Sequence, residues 1–347
     1  SLSPVAGAIA AGNRVMLKPS EWTPKTSALL AELASEAFEP DEFRVFEGGI
    51  ETGRAFSELP FDHLLFTGST RVAKEVSNSA AKNLTPLTLE LGGKSPALVC
   101  PDANLKRAAE RIVFGKLANA GQICIAPDYV FVERAKFHDF IEMLQTYIKK
   151  AYPRLNKNPD YTSIISSDHF SRLNRMIEEA REDGAEIISI NPDGETLEPS
   201  ARKIPPTLIL RPNPTLGVMQ EEIFGPILPI LSYEKIEEAI EFIQHRARPL
   251  ALYLFTEKAR ERERILRETV SGGVAVNEVL FHCVCETLPF GGVGASGMGS
   301  YHGQAGFDTF SHLKPVFIQP RFNFNFFLVP PITPMKKLFA KIFRKLV

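Results

Sequence analysis

The sequence predicts an α/β protein whose coenzyme-type half is a doubly wound, Rossmann-type parallel sheet, and three observations carry that expectation. Short apolar strands recur without period-2 alternation, the pattern of strands buried on both faces. Amphipathic helical stretches separate them, giving consecutive strands the crossover that parallel pairing requires. At 347 residues the chain exceeds the size of one compact core, which points to two domains.

The elements follow in order. Residues 14–17 (RVML) form a strand, and Thr23-Pro24 opens a helix with apolar positions at Leu29, Leu30, Leu33 and Ala37, Thr23 being the N-cap. FRVFE (43–47) and HLLFT (63–67) are strands closed by Gly48-Gly49 and Gly68-Ser69, the second leading into a helix over 71–82. LTLEL (87–91) and PALVC (96–100) continue the series. A helix over 104–118 delivers Asn119, a strand at 129–132 and a helix at 135–149 follow, and βαβ units repeat through 230–276. With no repeat and no low-complexity linker, the halves are expected to pack as one rigid body around a cleft.

Forty basic and 41 acidic side chains leave a formal charge of −1, which gives no electrostatic footprint for nucleic acid. Cys100, Cys124, Cys283 and Cys285 have neither disulfide-framework nor zinc spacing, so a reducing, cytoplasmic setting and no metal are expected. No run reaches the ~18 apolar residues of a membrane span, and no signal peptide is read. The opening SLSPVAGAIAAGN lacks an initiator Met and reads as the inside of a domain, so an N-terminally incomplete chain is expected. In TPMKKLFAKIFRKLV (333–347), Met335, Leu338, Phe339, Ile342, Phe343 and Leu346 fall on one helical face. Lys336, Lys337, Lys341, Arg344 and Lys345 occupy the other, with no acid. Such a helix suits either an anionic membrane surface, touched peripherally, or packing on its own protein or a partner subunit.

Six stretches are candidates for chemistry. Glu90 ends an apolar strand before Gly92-Gly93, where open α/β sheets bind ligands, although a strand-end Glu more often faces solvent. Gly68-Ser69-Thr70 starts a helix whose free N–H groups suit a phosphate, or simply a cap. Lys18 at a strand end, with Glu21 three residues on, suits ribose hydroxyls or is an exposed ion pair. Glu221 and Glu222 precede Phe224 and a Gly-Pro turn, where acids hold a sugar and an aromatic backs a ring, or all three are ordinary surface and core. PFGGVGASGMGSYHG (289–303) is too rich in glycine for a helix or strand and suits a loop passing tightly over another backbone. Cys124, in NAGQICIAPDY (119–129), is in isolation a core-filling thiol.

Together LKPSE, FTGST, ELGGKSP, GQ-x-C, EEIFGP and PFGG-x-G-x-SG, in this order and spacing, resemble the aldehyde dehydrogenase superfamily from residue 1 to about 319. LPFDHLLFTGST, IAPDYV, RPLALYLF and GMGSYHG…FSH look like the class 3 branch, whose coniferyl aldehyde dehydrogenase-like bacterial members fit best and whose fatty-aldehyde members are near relatives. The resemblance implies an aldehyde dehydrogenase-like fold. Residues 1–92 would form an N-terminally incomplete coenzyme domain and 93–295 an α/β catalytic domain. Residues 296–319 would return to the coenzyme domain and give an oligomerisation strand within 307–319 of a homodimer, and 320–347 would be a tail.

The resemblance also assigns roles. Cys124 would be the nucleophile and Glu90 the general base. Lys18 and Glu21 would hold the adenosine ribose of NAD or NADP, and Gly68 and Ser69 the pyrophosphate. Glu222 would bind the nicotinamide ribose with Phe224 beside it, while Leu91 and Gly92 border the nicotinamide. An aldehyde, aromatic or medium- to long-chain, would become a thiohemiacetal, then a thioester that Glu90-activated water hydrolyses to the acid. Two departures stand out. Ile123 replaces the Thr usual before the nucleophile, and the family's P-W-N-x-P segment, whose Asn donates to the oxyanion, is missing, so little activity is expected of residues 1–347 alone. A silent scaffold would not need both Cys124 and Glu90, and a coenzyme A-acylating enzyme would form its thioester whether or not Glu90 is present.

Overall fold

The structure, a computed structural model, describes residues 2–327 and 329–344, which fall into a unit of residues 1–311 and another of 312–347. In the first unit the chain runs α1 (Leu2–Ala10), β1 (Val15–Leu17), α2 (Pro24–Ala37), β2 (Phe43–Val45), α3 (Ile50–Ser57), β3 (Leu64–Thr67), α4 (Thr70–Ala81) and β4 (Leu87–Glu90). It continues through β5 (Pro96–Val99), α5 (Leu105–Leu117), β6 (Tyr129–Glu133), α6 (Phe137–Ala151), α7 (Ser167–Glu182), β7 (Glu186–Ser189), β8 (Thr207–Leu210), α8 (Gly217–Gln220) and β9 (Ile227–Tyr233). Then come α9 (Ile236–Gln244), β10 (Ala251–Phe255), α10 (Ala259–Glu268), β11 (Gly273–Val276), β12 (Gly297–Met298) and α11 (Gly303–Thr309).

A seven-stranded sheet of order β11-β10-β5-β6-β9-β8-β7 dominates, parallel throughout except for the edge pair β7–β8. Its central strands are buried residue by residue because alternate side chains enter different cores. Ala97 and Val99 pack with α5 and α6 on one face, while Leu98 and Cys100 pack with α7, α9 and α10 on the other. Each such Leu, Ile or Val withdrawn from water contributes about 1.5–3 kcal/mol. This two-sided burial is what the missing alternation announced.

The strand series divides where the sequence reading had it continue. The first half forms a β1–β2 pair and a β12-β4-β3 sheet, whereas β5 joins the large sheet, because the Gly92–Lys94 turn carries the chain out of one sheet and into the other. The parallel β1–β2 and β3–β4 pairs with their connecting helices form the Rossmann-type half, and the large parallel-rich sheet belongs to the other. Phe307–Thr309 are the last turn of α11, and residues 310–320 have no ladder partner, which a strand added across subunits draws from another chain. Thr23 occupies the N-cap of α2 without accepting a hydrogen bond from it, its hydroxyl donating instead to the Ser20 carbonyl (3.4 Å).

The unit 312–347 contains α12 (Pro334–Phe343), capped by the Thr333 hydroxyl. Phe339 does not share the exposed apolar face. It stacks on Phe327 (centroids 4.2 Å apart) and Phe324, leaving Met335, Leu338 and Ile342 exposed. Lys336 leaves the basic face, donating to the Val329 carbonyl (2.6 Å) beneath the Phe326 ring. Leu346 and Lys345 lie outside the described residues. No helix among those described is long and apolar enough to cross a membrane.

Candidate active site

The site lies where two sheet edges face each other. Lys18, Ser69 and Glu90 follow or end β1, β3 and β4, at the carboxyl edges where open α/β sheets take ligands. Cys124 and Glu222 precede β6 and β9, and so leave the opposite, amino edge of the large sheet.

Cys124 is presented by a strained turn. Helix α5, capped by the Asn104 side chain on the Arg107 N–H (3.0 Å), ends at Leu117. Asn119, Ala120 and Gly121 then all take positive φ, at 49°, 51° and 76°. Asn tolerates that region, and at Gly121 any side chain would overlap the Gly225 carbonyl. Gln122 pins the turn, its amide donating to the carbonyls of Asn119 (3.0 Å) and Ser163 (3.2 Å) while its oxygen accepts from the Ile165 N–H (2.9 Å). The Tyr253 hydroxyl holds the far side through the Ile125 carbonyl.

The Cys124 thiol donates to Glu90 Oε1 across 3.7 Å, so the candidate nucleophile and candidate base stand in contact. Glu90 is 2 % exposed and its Oε2 has no partner among the described residues. Burial raises its carboxyl to about 8, the Cys124 hydrogen bond opposing and Glu222 adding to the rise. Burial also pushes the Cys124 thiol well up, with Glu90 and Glu222 contributing, so once Glu90 is ionised the proton that remains sits on sulfur. A buried carboxyl of near-neutral pKa beside the thiol is placed to serve, when ionised, as a general base toward water.

Glu222 faces the same space. Burial and Asp128 raise it to about 7, against the Gly93 N–H, Lys94 and Arg172. Its carboxylate lies so close to Gly92 that a Cβ there would overlap both oxygens. Leu91 beside it is buried and donates to the Ser296 carbonyl (3.1 Å), within the glycine-rich loop that returns as β12 onto β4. That loop passes tightly over a backbone, as expected. Phe224 adopts φ 51° and meets His169 edge-on, at 5.9 Å between centroids. Non-glycine residues held at such angles cluster where function sustains the strain. Gly92→Ala is expected to lower kcat/KM for the coenzyme on the order of 10²-fold by displacing Glu222, with circular dichroism unchanged. Unaltered coenzyme kinetics would remove Glu222 from the site.

Ser69 is exposed and caps α4, its hydroxyl accepting from the Val72 N–H (3.4 Å). Thr70, Gly93, Lys94, Glu222, Arg248 and Ala295 line a cavity of about 770 Å³. One cavity thus joins a helix N-terminus, suited to a phosphate, and a carboxylate, suited to ribose hydroxyls, which fits a nicotinamide dinucleotide. Lys18 and Glu21 pair at 3.0 Å, and the Glu21 backbone N–H and the Lys18 ammonium hold that carboxyl below its ordinary value.

Sequence reasoning passed over Lys94, Asp128, His169 and Arg172. Arg172 donates to the carbonyls of Glu222 (3.1 Å) and Ile223 (2.6 Å), and His169 Nε2 donates to that of Phe224 (2.7 Å). Lys94 and Asp128 stood inside the quoted motifs, but nothing in their spacing announced a pair.

A sequence profile of the aldehyde dehydrogenase family matches residues 1–316. A probable coniferyl aldehyde dehydrogenase of Caulobacter vibrioides is 51% identical over 320 residues, taking in 92% of this chain and 66% of the relative, so the chain spans about two thirds of that relative's length. A structure of the Staphylococcus aureus AldH in its substrate-bound state superposes with a TM-score of 0.88 at 43% identity, covering 98% of this chain and 73% of that one. A Mycobacterium tuberculosis aldehyde dehydrogenase complexed with NAD⁺ gives a TM-score of 0.83 at 30% identity, over 93% and 67% of the two chains.

Proposed function

This chain belongs to the aldehyde dehydrogenase family, and from that we propose that its site oxidises an aldehyde to the carboxylic acid with NAD or NADP. The observation that carries the proposal is the contact between the Cys124 thiol and the buried Glu90 carboxyl. Cys124 sulfur adds to the aldehyde carbon as the thiol proton leaves to solvent water, giving a thiohemiacetal. When bound, the coenzyme supplies the acceptor for the hydride that leaves this carbon, so that the adduct becomes a thioester. Glu90 then takes a proton from water, whose oxygen adds to the thioester, and the carbon–sulfur bond breaks to release the acid and restore the thiol. Glu222 and Phe224 would hold the nicotinamide ribose, Leu91 and Gly92 would border the ring, Gly68 and Ser69 would take the pyrophosphate, and Lys18 and Glu21 the adenosine ribose.

The substrate class proposed is aromatic, with coniferyl aldehyde the leading member and medium- or long-chain aldehydes second. Phe114 on α5 and Phe281 in the loop after β11 stack with centroids 6.1 Å apart, and both are about half exposed. Flat aromatic faces of this kind gain on the order of 1 kcal/mol from a stacked ring. A kinetic panel of coniferyl aldehyde, decanal and acetaldehyde with each coenzyme is the test: kcat/KM is expected to be highest for coniferyl aldehyde, and preference for acetaldehyde would overturn the assignment. Because Glu21 carries a negative charge, NAD is expected to outperform NADP, and Glu21→Gln to narrow the gap. An NADP preference left unchanged by that substitution would remove Glu21 from the ribose site.

A homodimer and cytoplasmic operation complete the reading. For the second unit we propose peripheral contact of α12 with an anionic membrane surface, supported by exposed Met335, Leu338 and Ile342 beside Lys337 and Lys341 in a segment, 309–347, that contains no acid. Sedimentation with phosphatidylglycerol vesicles, lost when Leu338 becomes Glu, is expected; absence of binding by the unaltered protein would refute it.

A further inference from the structure

Two pairs in this site share one sequence interval. Glu90 meets Cys124 and Lys94 meets Asp128, each across 34 residues. Four residues beyond the base stands a lysine, four beyond the nucleophile stands an aspartate, and the two form an ion pair with side chains 9% and 4% exposed. Their remaining bonding capacity goes to the segment that carries Glu222. Lys94 Nζ also donates to the carbonyls of Val218 (2.8 Å) and Glu221 (3.0 Å). Asp128 Oδ2 accepts from the Ile223 N–H (2.9 Å), and the Asp128 N–H donates to the Ser95 carbonyl (2.8 Å).

The ammonium therefore grips the residue before Glu222 and the carboxylate grips the residue after it. Each partner belongs to one of the two catalytic segments. A charge-assisted bond at each side fixes the segment more tightly than neutral bonds would. Arg172 holds the same stretch from its outer side, so the backbone of Glu222 is clamped between two cationic side chains.

We propose that the buried Lys94–Asp128 pair is a positioning device that sets Glu222 in register with Glu90 and Cys124 and so governs how tightly the coenzyme is held. Neither residue touches the reacting atoms. Both act through Glu222, and the proposal rests on the reading of Glu222 as the ribose carboxylate.

The test is a double-mutant cycle on NADH binding, followed by NADH fluorescence in the intact protein, with the thermal midpoint of every variant measured alongside. Glu222→Gln is expected to weaken NADH binding about tenfold, as loss of a charge-assisted bond to the coenzyme would. Asp128→Asn is expected to weaken it by a similar, roughly tenfold factor in the native background and by less than about twofold once Glu222→Gln is present. A merely structural role would lower the thermal midpoint in both backgrounds without this coupling. Should Asp128→Asn not fold, Lys94→Met with Asp128→Leu removes both charges together, avoiding an unpaired buried ion, and takes its place in the cycle. Equal losses in both backgrounds, or none in either, would overturn the proposal. If Glu222→Gln alone leaves NADH binding intact, the ribose reading fails first, a result distinguishable from failure of the pair.

Discussion

Replacing Cys124 by alanine is expected to lower aldehyde oxidation by at least about 10⁴-fold in kcat while leaving NADH binding unchanged. The sulfur makes the bond that turns a poor hydride donor, the aldehyde, into a good one, and no weaker contact in the site performs that step. Cys283 is half-buried and packs against the same core as Cys124. Residual turnover that disappears only when Cys283 is also replaced would move the nucleophile there. Serine at position 124 is expected to do little better than alanine, because a buried hydroxyl ionises even less readily than the thiol. Iodoacetamide should label one site that an aldehyde protects, and peptide mapping that finds the protected label elsewhere would refute the assignment.

Glu90→Gln is the second large effect. Acylation consumes the first aldehyde, but the thioester then lacks its base, so steady-state turnover is expected to fall about 10²–10⁴-fold. Rapid mixing should show a burst of NADH close to the concentration of sites, followed by a slow phase. The pH dependence has a definite sign. Glu90 is neutral below about 8 and ionised above it. Hydrolysis needs the ionised form, so the native rate should rise about tenfold per pH unit on the acid side and level off above that value. Glu90→Gln should lose this limb. A burst-free variant with an unchanged profile would show that Glu90 does not activate the water, and an unchanged turnover would favour acyl transfer to a thiol acceptor.

Much of this was legible in the letters because burial on both faces writes itself as apolar runs. PALVC, YVFV and ALYLF are such runs, and each is a central strand of the large sheet. Glu90, Cys124 and Glu222 were legible as candidates because their types and local turns fit one chemistry, and the structure brings Glu90 into contact with Cys124. What stayed hidden is relational. That β5 leaves the first sheet depends on a three-residue turn, and a local pattern does not say which edge a strand will join. Edge strand β7 escaped because its burial is partial and its partner antiparallel. Lys94 and Asp128 escaped because a lysine and an aspartate 34 positions apart look like surface charges until the fold places them together. Phe339 misled the face assignment in the tail, since a helical wheel cannot anticipate that Phe324 and Phe327 fold back onto one of its residues.

The equal spacing of the two pairs has a consequence for how the protein tolerates change in length. Helix α5 lies within the interval of both pairs, and it behaves as a ruler calibrated for both at once. One residue added within α5 would turn everything beyond it by about 100° and advance it about 1.5 Å. The thiol would leave its carboxyl and the aspartate its lysine in the same stroke, so no single compensating substitution restores the site. Variation in length is therefore expected to collect in stretches such as 191–206, between β7 and β8, and to be absent from 91–128, whose residue count is as much a part of the catalyst as any side chain in it.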